Sequence, residues 1–282
     1  MVLEEEMTPE EKWENATISN NFIFYKIMRE NPDVCKEFLE RLLEMEIDHV
    51  EMLQEDEVNV DFQSKGIRMD VYAKNNSEIF DLEMQNINTK DLAERTRYYQ
   101  GVMDVDNLKS GQKYEELKTS YIVFICINDI FDKGLGSYKF ENLCTTNPKI
   151  KLNDRAYKYF FIAKNYDKIG NKEQQELLQL IMNNQATDTF SKKILELVKK
   201  AKKNTQWRMK YMEYERQRTY DIEYGEERGL QKGIQLGMQQ GMQQGAKQKA
   251  IESAKAFIKE GVSIEIIAKC TGLSLEEVSA IQ

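Results

Sequence analysis

Apolar residues between positions 20 and 47 recur three or four apart: Phe22, Ile23 and Ile27, then Phe38, Leu39, Leu42 and Leu43. That is the helical period, and Pro32 interrupts it, so the pattern predicts two helices with a break at Asn31-Pro32-Asp33. Between positions 58 and 85 the period changes from 3.6 to 2, which predicts strands. Thr89 opens a further helix carrying Leu92, Thr96, Tyr99 and Met103 along one stripe. Residues 120–127 read SYIVFICI and have no polar face. Such a strand is expected to lie buried on both sides in a partly parallel sheet. Shorter strand-like pieces follow near 138–140 and 157–163, and a helical pattern then runs from Lys172 to about Tyr224.

The next segment breaks the pattern. Gly225, Gly229, Gly233, Gly237, Gly241 and Gly245 recur every fourth residue, interleaved with Gln. A small-residue stripe of this kind can pack two helices closely, and in apolar flanks it is a membrane motif. These flanks are Gln, Glu, Lys and Met, and successive glycines advance about 400° in a helix, so the stripe drifts around the axis. Each glycine also costs roughly 1 kcal/mol relative to Ala. A pliable linker or marginal helix is the reading adopted for 225–245. Residues 246–282 resume a helical pattern, with Gly272 for a turn and Ser274/Glu277 as a capping box. Two short helices result, resembling the first two of a helix-turn-helix unit. With few cations and no third helix, they suit packing or oligomerisation better than DNA reading. The expected organisation is therefore a disordered acidic arm over 1–15, a folded core over 16–170, a helical extension over 171–224, the Gly/Gln segment over 225–245, and a helical hairpin over 246–282.

Composition narrows the chemistry. The chain has 282 residues, 41% hydrophobic and 31% charged, enough for a sizeable core in a soluble globular class. The longest apolar run, 121–127, is far short of the roughly 20 residues of a membrane span, and the acidic N-terminus lacks the apolar core of a targeting peptide. A cytoplasmic protein with no membrane contact is expected. Cys35, Cys126, Cys144 and Cys270 stand far apart without a CxxC pair, which predicts reduced, mostly buried thiols. His49 is the only histidine, so multi-imidazole zinc centres cannot be built from one chain, and no nucleophile motif lies beside it. Carboxylates are left to carry any catalysis. The net charge of −8 argues against nonspecific coating of nucleic acid. It conceals an asymmetry: residues 192–218 carry ten Lys or Arg against three Glu, leaving −15 on the rest of the chain.

The carboxylates concentrate in KGIRMDVYAKNNSEIFDLEMQ, residues 65–85. A hairpin with its loop at 75–78 pairs residues whose numbers sum to 153, setting Asp70 opposite Glu83, Arg68 opposite Gln85 and Tyr72 opposite Asp81. One face then collects Arg68, Asp70, Tyr72, Asp81, Glu83 and Gln85; the other collects Met69, Val71, Ala73, Phe80, Leu82 and Met84. A slip of one residue would scramble both faces, which supports the register. Cβ atoms so paired lie about 4.5–5.5 Å apart. Like charges that close repel unless a cation or proton lies between them. Hard oxygen ligands with open positions suit Mg²⁺. The competing reading is a solvated polar face on a two-layer sheet.

Asp70, a dozen residues, then Glu83-Met84-Gln85 across a hairpin followed by a helix resembles the PD-(D/E)XK nuclease signature, with glutamine in the lysine position. The surrounding words NNFIFYKIM, KGIRMDVYA, DLEMQ, RTRYYQ and LKSGQKYEELKTSYIVFIC, the Gly-rich stretch and the TGLS-EEV ending resemble the recombination-promoting nuclease (Rpn) family of transposase-related proteins. The likeness runs in order from about Ser19 to the C-terminus. It implies an α/β fold, a restriction-endonuclease-like core with a mixed central sheet flanked by helices, here with a helical C-terminal extension.

The resemblance further implies metal-dependent hydrolysis of DNA phosphodiesters, with Asp70, Glu83 and Gln85 catalytic. Asp70, Glu83 and the backbone carbonyl of Met84 would hold Mg²⁺, with Mn²⁺ as a substitute. Glutamine only hydrogen-bonds where lysine would add charge; Arg68 could restore it. Related nucleases steady the site with Gln and Tyr on the following helix, where this chain offers Arg97, Tyr99 and Gln100. An acidic first-helix residue often assists, and here the choice among Asn21, Glu30 and Glu37 stays open. In the basic segment, Lys199, Lys200, Lys202, Lys203, Trp207 and Arg208 are candidate DNA contacts, against a solvated amphipathic helix with Ile194, Leu197, Val198 and Ala201 inward. DNA is the expected partner, with no nucleotide cofactor, and a homodimer is expected because cutting two strands commonly needs two sites. The alternative is a nuclease-fold protein that has lost catalysis and binds DNA or protein. Nothing in the sequence supplies strand-transfer machinery.

Overall fold

The side chain of Asn20 accepts a hydrogen bond from the Ile23 amide (3.2 Å) and starts helix α2, Asn21–Glu30. Pro32 opens α3, Pro32–Leu43, as a first-turn proline should, so the break falls at Asn31. Their apolar stripes, including Ile23, Phe24, Ile27, Phe38, Leu39 and Leu42, are buried together. The computed structural model describes residues 7–53 and 70–281, which form two units, Met1–Met212 and Glu213–Gln282.

Among the described residues, the first unit is built on a sheet of six strands: β1 (Glu51–Met52), β2 (Val71–Lys74), β3 (Glu78–Gln85), β4 (Thr119–Cys126), β5 (Ser137–Phe140) and β6 (Ala156–Ile162), in the order β1-β2-β3-β4-β6-β5. The β3–β4 and β4–β6 pairs are parallel, and the others antiparallel. As its lack of a polar face predicts, β4 lies between two parallel neighbours, with Ile122 to Cys126 fully buried. Helix α4 (Leu92–Asn107) crosses from β3 to β4 and buries Leu92, Thr96, Tyr99 and Met103. It packs with Ile79, Ile122, Phe124 and Phe160 on one side of the sheet. The other side, presenting Phe80, Leu82, Met84, Val123 and Ile125, is covered by α2, α3, α5 (Lys172–Asn183) and α6 (Thr189–Lys203). This mixed, helix-flanked sheet is the restriction-endonuclease-like core.

Several expectations are corrected. Residues 9–15 of the expected acidic arm form helix α1 (Pro9–Asn15), closed by a Thr8/Glu11 capping box. Trp13 anchors it, fully buried, with its indole 5.1 Å from Tyr211 and its Nε1 donating to the Lys202 carbonyl (3.3 Å). Cys35 and Cys126 are buried, but Cys144 is half-buried and Cys270 exposed, so the thiols are not mostly interior. Helix α4 starts at Leu92 rather than Thr89.

Helix α7 (Thr205–Lys259) runs on into the second unit and includes the glycine repeat as continuous helix. Among the described residues, a methyl group added at any of those six glycines would meet nothing within 4 Å. The end of the chain holds one helix more than a hairpin. The last turns of α7 join α8 (Ile264–Thr271) and α9 (Leu275–Ser279) around Ala254, Ile267, Leu273 and Val278. Gly272 makes the turn at φ 74°, and Ser274 and Glu277 cap α9 reciprocally at 3.1 and 2.9 Å. Among the described residues, no helix is long and apolar enough to cross a membrane.

Candidate active site

The β2–β3 hairpin turns on Asn75. Its side-chain oxygen accepts from the amides of Ser77 (3.0 Å) and Glu78 (2.8 Å), and its own amide donates to the Glu78 carbonyl (3.0 Å). This Asx turn over 75–77 fixes the register Val71–Leu82, Tyr72–Asp81 and Ala73–Phe80, the register expected from alternation. Just before β2, Asp70 continues the ladder through side chains. Its amide donates to Glu83 Oε1 (2.8 Å), and its Oδ2 accepts from the Met84 amide (3.1 Å). Asp70 and Glu83 therefore meet at the C-terminal end of β3. Arg68, expected opposite Gln85, lies outside the described residues.

Along β3 the polar face is not solvated. Asp81, Glu83 and Gln85 are 0%, 4% and 9% exposed, because α4 covers them. Three carboxylates under a helix perturb one another. Burial, then the charge of Asp70, pushes the Asp81 carboxyl up to about 8. The same causes raise Glu83 well above the carboxylate range, with Asp81 adding to the repulsion, while the Asp70 amide and Arg95 pull it back. Neither Asp81 oxygen receives a hydrogen bond from a neutral or cationic donor among the described residues. With no such donor at either oxygen, the buried Asp81 carboxyl is favoured in its neutral form.

Helix α4 supplies the counter-charge. Arg95 donates from Nη1 to Gln85 Oε1 (3.1 Å) and from Nη2 to Tyr99 Oη (3.3 Å) and Glu83 Oε2 (3.4 Å). Its guanidinium rests against Tyr99 and Phe124, each centroid 5.5 Å away. Tyr99 thus lies near Glu83 through Arg95. Arg97 does not: it is exposed, two residues or about 200° around the helix from Arg95. Gln100 donates to Ser120 Oγ (2.7 Å) and Asp104 (3.0 Å). Ser120 pairs with Ile79 and Phe124 with Glu83, so Gln100 works about 13 Å down the sheet from the carboxylates. Arg95 was not singled out by its sequence context, although its i,i+4 relation to Tyr99 put both on one face.

Of the three first-helix candidates, Asn21 is the one that reaches β3. Its Nδ2 donates to the Met84 carbonyl (3.0 Å), and its Oδ1 accepts from Asn86 (2.7 Å). Glu37 instead pairs with Arg41 (3.0 Å), and Glu30 is exposed. The basic helix lies elsewhere. α6 buries Ile194, Val198 and Ala201 on the sheet side opposite the carboxylates. Lys199 pairs with Glu196 (2.6 Å), Lys202 donates to the Glu14 carbonyl, and Trp207 packs on the core. Lys200 and Arg208 are exposed, as is Lys203.

Asp70 and Glu83 are the carboxylates tied to each other here, and the Met84 carbonyl beside them accepts from Asn21. Among the described residues, no three His, Cys, Asp or Glu side chains converge on one point. Two carboxylates completed by water and substrate oxygens are what Mg²⁺ commonly accepts.

No curated protein and no solved structure matches the chain. A protein-family model, described as a PD-(D/E)XK nuclease family transposase, matches residues 19–228, ending short of most of the glycine repeat and of the TGLS-EEV ending. That span covers about three quarters of the chain and holds Asp70, Glu83, Gln85 and Arg95, and the chain belongs to this nuclease family.

Proposed function

We propose that the protein is a divalent-metal-dependent DNA endonuclease, cytoplasmic and dimeric, acting in recombination or mobile-element biology. The observation carrying this reading is the pairing of half-buried Asp70 with buried Glu83 at the end of β3, where the Asp70 amide donates to Glu83 Oε1 (2.8 Å) and burial beside Asp70 raises the Glu83 carboxyl. The orphaned Asp81 behind them fits a cation in front, since an added positive charge would relieve all three carboxylates. Asp70, Glu83 and the Met84 carbonyl would hold it.

A bound Mg²⁺ supplies activation of the attacking water and charge compensation at the scissile phosphate. The chain does the rest. Asp70 is fixed by the Met84 amide, and Glu83 by the Asp70 amide and Arg95, so both carboxylates are oriented before substrate arrives. Asn21 holds the Met84 carbonyl, and α4 keeps bulk water from the rear of the carboxylates. Gln85 is an amide with its Nε2 engaged by the Ile87 carbonyl, so it acts by positioning rather than by charge.

Plasmid incubated with purified protein tests the reading. Nicking with Mg²⁺, lost in chelator and in Asp70→Ala, is the expected result. Equal nicking by wild type and Asp70→Ala assigns the activity to another site or to contamination. No nicking together with no metal uptake by calorimetry favours a non-catalytic binding module, the reading to which the missing lysine at Gln85 lends support.

A further inference from the structure

Position 85, where the signature usually carries a cation, holds glutamine, and α4 brings an arginine to that amide. Arg95 reaches down from α4 and is held at three points, by Gln85, Tyr99 and Glu83. Among the described residues, it is the cation paired with Glu83. The shape of the arrangement argues for more than charge neutralisation. A guanidinium has five N–H donors, and the recorded bonds use three, two of them weak at 3.3 and 3.4 Å. The Arg95 side chain is 27% exposed while that of Glu83 is buried, so solvent reaches the arginine more readily than the carboxylate it pairs with. Stacking against Tyr99 and Phe124 fixes its stem, and the 3.1 Å bond to Gln85 Oε1 aims its fork. Gln85 is itself locked by its bond to Ile87. A planar fork with spare donors beside a carboxylate pair matches the oxygens of a phosphodiester.

We propose that Arg95 contacts the scissile phosphate as the catalytic cation of this site, delivered from α4, and that Gln85 is the positioning residue that holds it. This rests on the nuclease reading. Arg95 replaces the charge that a lysine at position 85 would bring, so glutamine there is a partner rather than a defect.

The test compares wild type, Arg95→Gln, Arg95→Lys and the double variant Gln85→Lys/Arg95→Gln, each first checked for a cooperative melt. Two readouts are taken. Binding of a short DNA duplex in chelator, titrated with salt, reports the phosphate contact without metal. Loss of one contact lowers the slope of log K against log salt by about 0.9. Cleavage with Mg²⁺ reports catalysis, where loss of a charge stabiliser costs about 10²–10³-fold.

The expected result is a reduced slope and that loss for Arg95→Gln, an intermediate loss for Arg95→Lys, and recovery of at least tenfold by Gln85→Lys in the Arg95→Gln background. An unchanged slope in Arg95→Gln overturns the proposal, because a residue that merely neutralises Glu83 would not change it. Should Arg95→Gln fail to fold, an Arg95→Met variant that keeps the wild-type salt slope overturns it equally. Wild-type cleavage that Asp70→Ala abolishes and Arg95→Gln leaves intact refutes this inference alone. Absence of wild-type cleavage refutes the nuclease reading beneath it.

Discussion

Replacing Asp81 with Asn should stabilise the protein, by an amount that grows with pH. Asp81 is wholly buried, its carboxyl is pushed up to about 8, and an unfolded aspartate ionises near 3.8. Below pH 4 the carboxyl is protonated in both states and the substitution changes little. Between about 4 and 8 the unfolded chain releases this proton and the folded chain retains it. Unfolding is therefore favoured by about 1.4 kcal/mol for each pH unit, and stability falls as pH rises. Integrated to pH 8, the penalty has a ceiling of about 6 kcal/mol, and relaxation of the neighbours brings the expected gain to about 2–4 kcal/mol. Asn keeps the size of Asp and carries no charge, so the substitution removes the titration without making a cavity. For a domain this large the gain corresponds to a rise in Tm of roughly 5–15 °C at pH 8. Urea melts of wild type and Asp81→Asn in chelator, from pH 4.5 to 8.5, measure it. A difference that stays flat with pH, or an Asn variant less stable at pH 8, would refute the buried-charge argument.

Other outcomes follow from the same geometry. Because protons and cations compete for raised carboxylates, Mg²⁺ affinity by calorimetry should increase from pH 6 to pH 8.5 and fall on acidification. Trp13→Ala should cost about 3–5 kcal/mol in urea melts, whereas an unstructured arm would show no loss. Asn21→Ala leaves the Met84 carbonyl without its donor and should lower stability by about 1 kcal/mol while weakening metal uptake. Charge reversal at Lys199 and Lys200, on the far side of the sheet, should leave the salt slope of DNA binding unchanged; a drop of one or more would place α6 in the interface.

Much of this fold was legible because alternation around Asp70–Gln85 separates polar from apolar residues in one register only, and the Asx turn at Asn75 selects that same register. The unbroken apolar run of β4 likewise announces two covered faces. What alternation does not reveal is whether a polar face meets water or a helix. Asp81, Glu83 and Gln85 look like a solvated row until α4 is laid over them, and that is a tertiary fact. Arg95 was missed for the same reason: helix phase groups it with Tyr99, but which face meets the sheet is set by packing. In α1, a single Trp among glutamates supplies the burial, and the surrounding charge hides it from any periodic signal. The basic count over 192–218 suggested a nucleic-acid surface, while the apolar stripe of α6 turned out to set its position.

The central claim is that Asp70 and Glu83 share a hard cation. Crystals soaked in Mn²⁺ and measured for anomalous scattering test it most directly. The account predicts a peak within about 2.5 Å of one oxygen of each carboxylate and of the Met84 carbonyl, and no such peak in Asp70→Ala. A saturated soak without density there, or manganese bound only elsewhere, would contradict it.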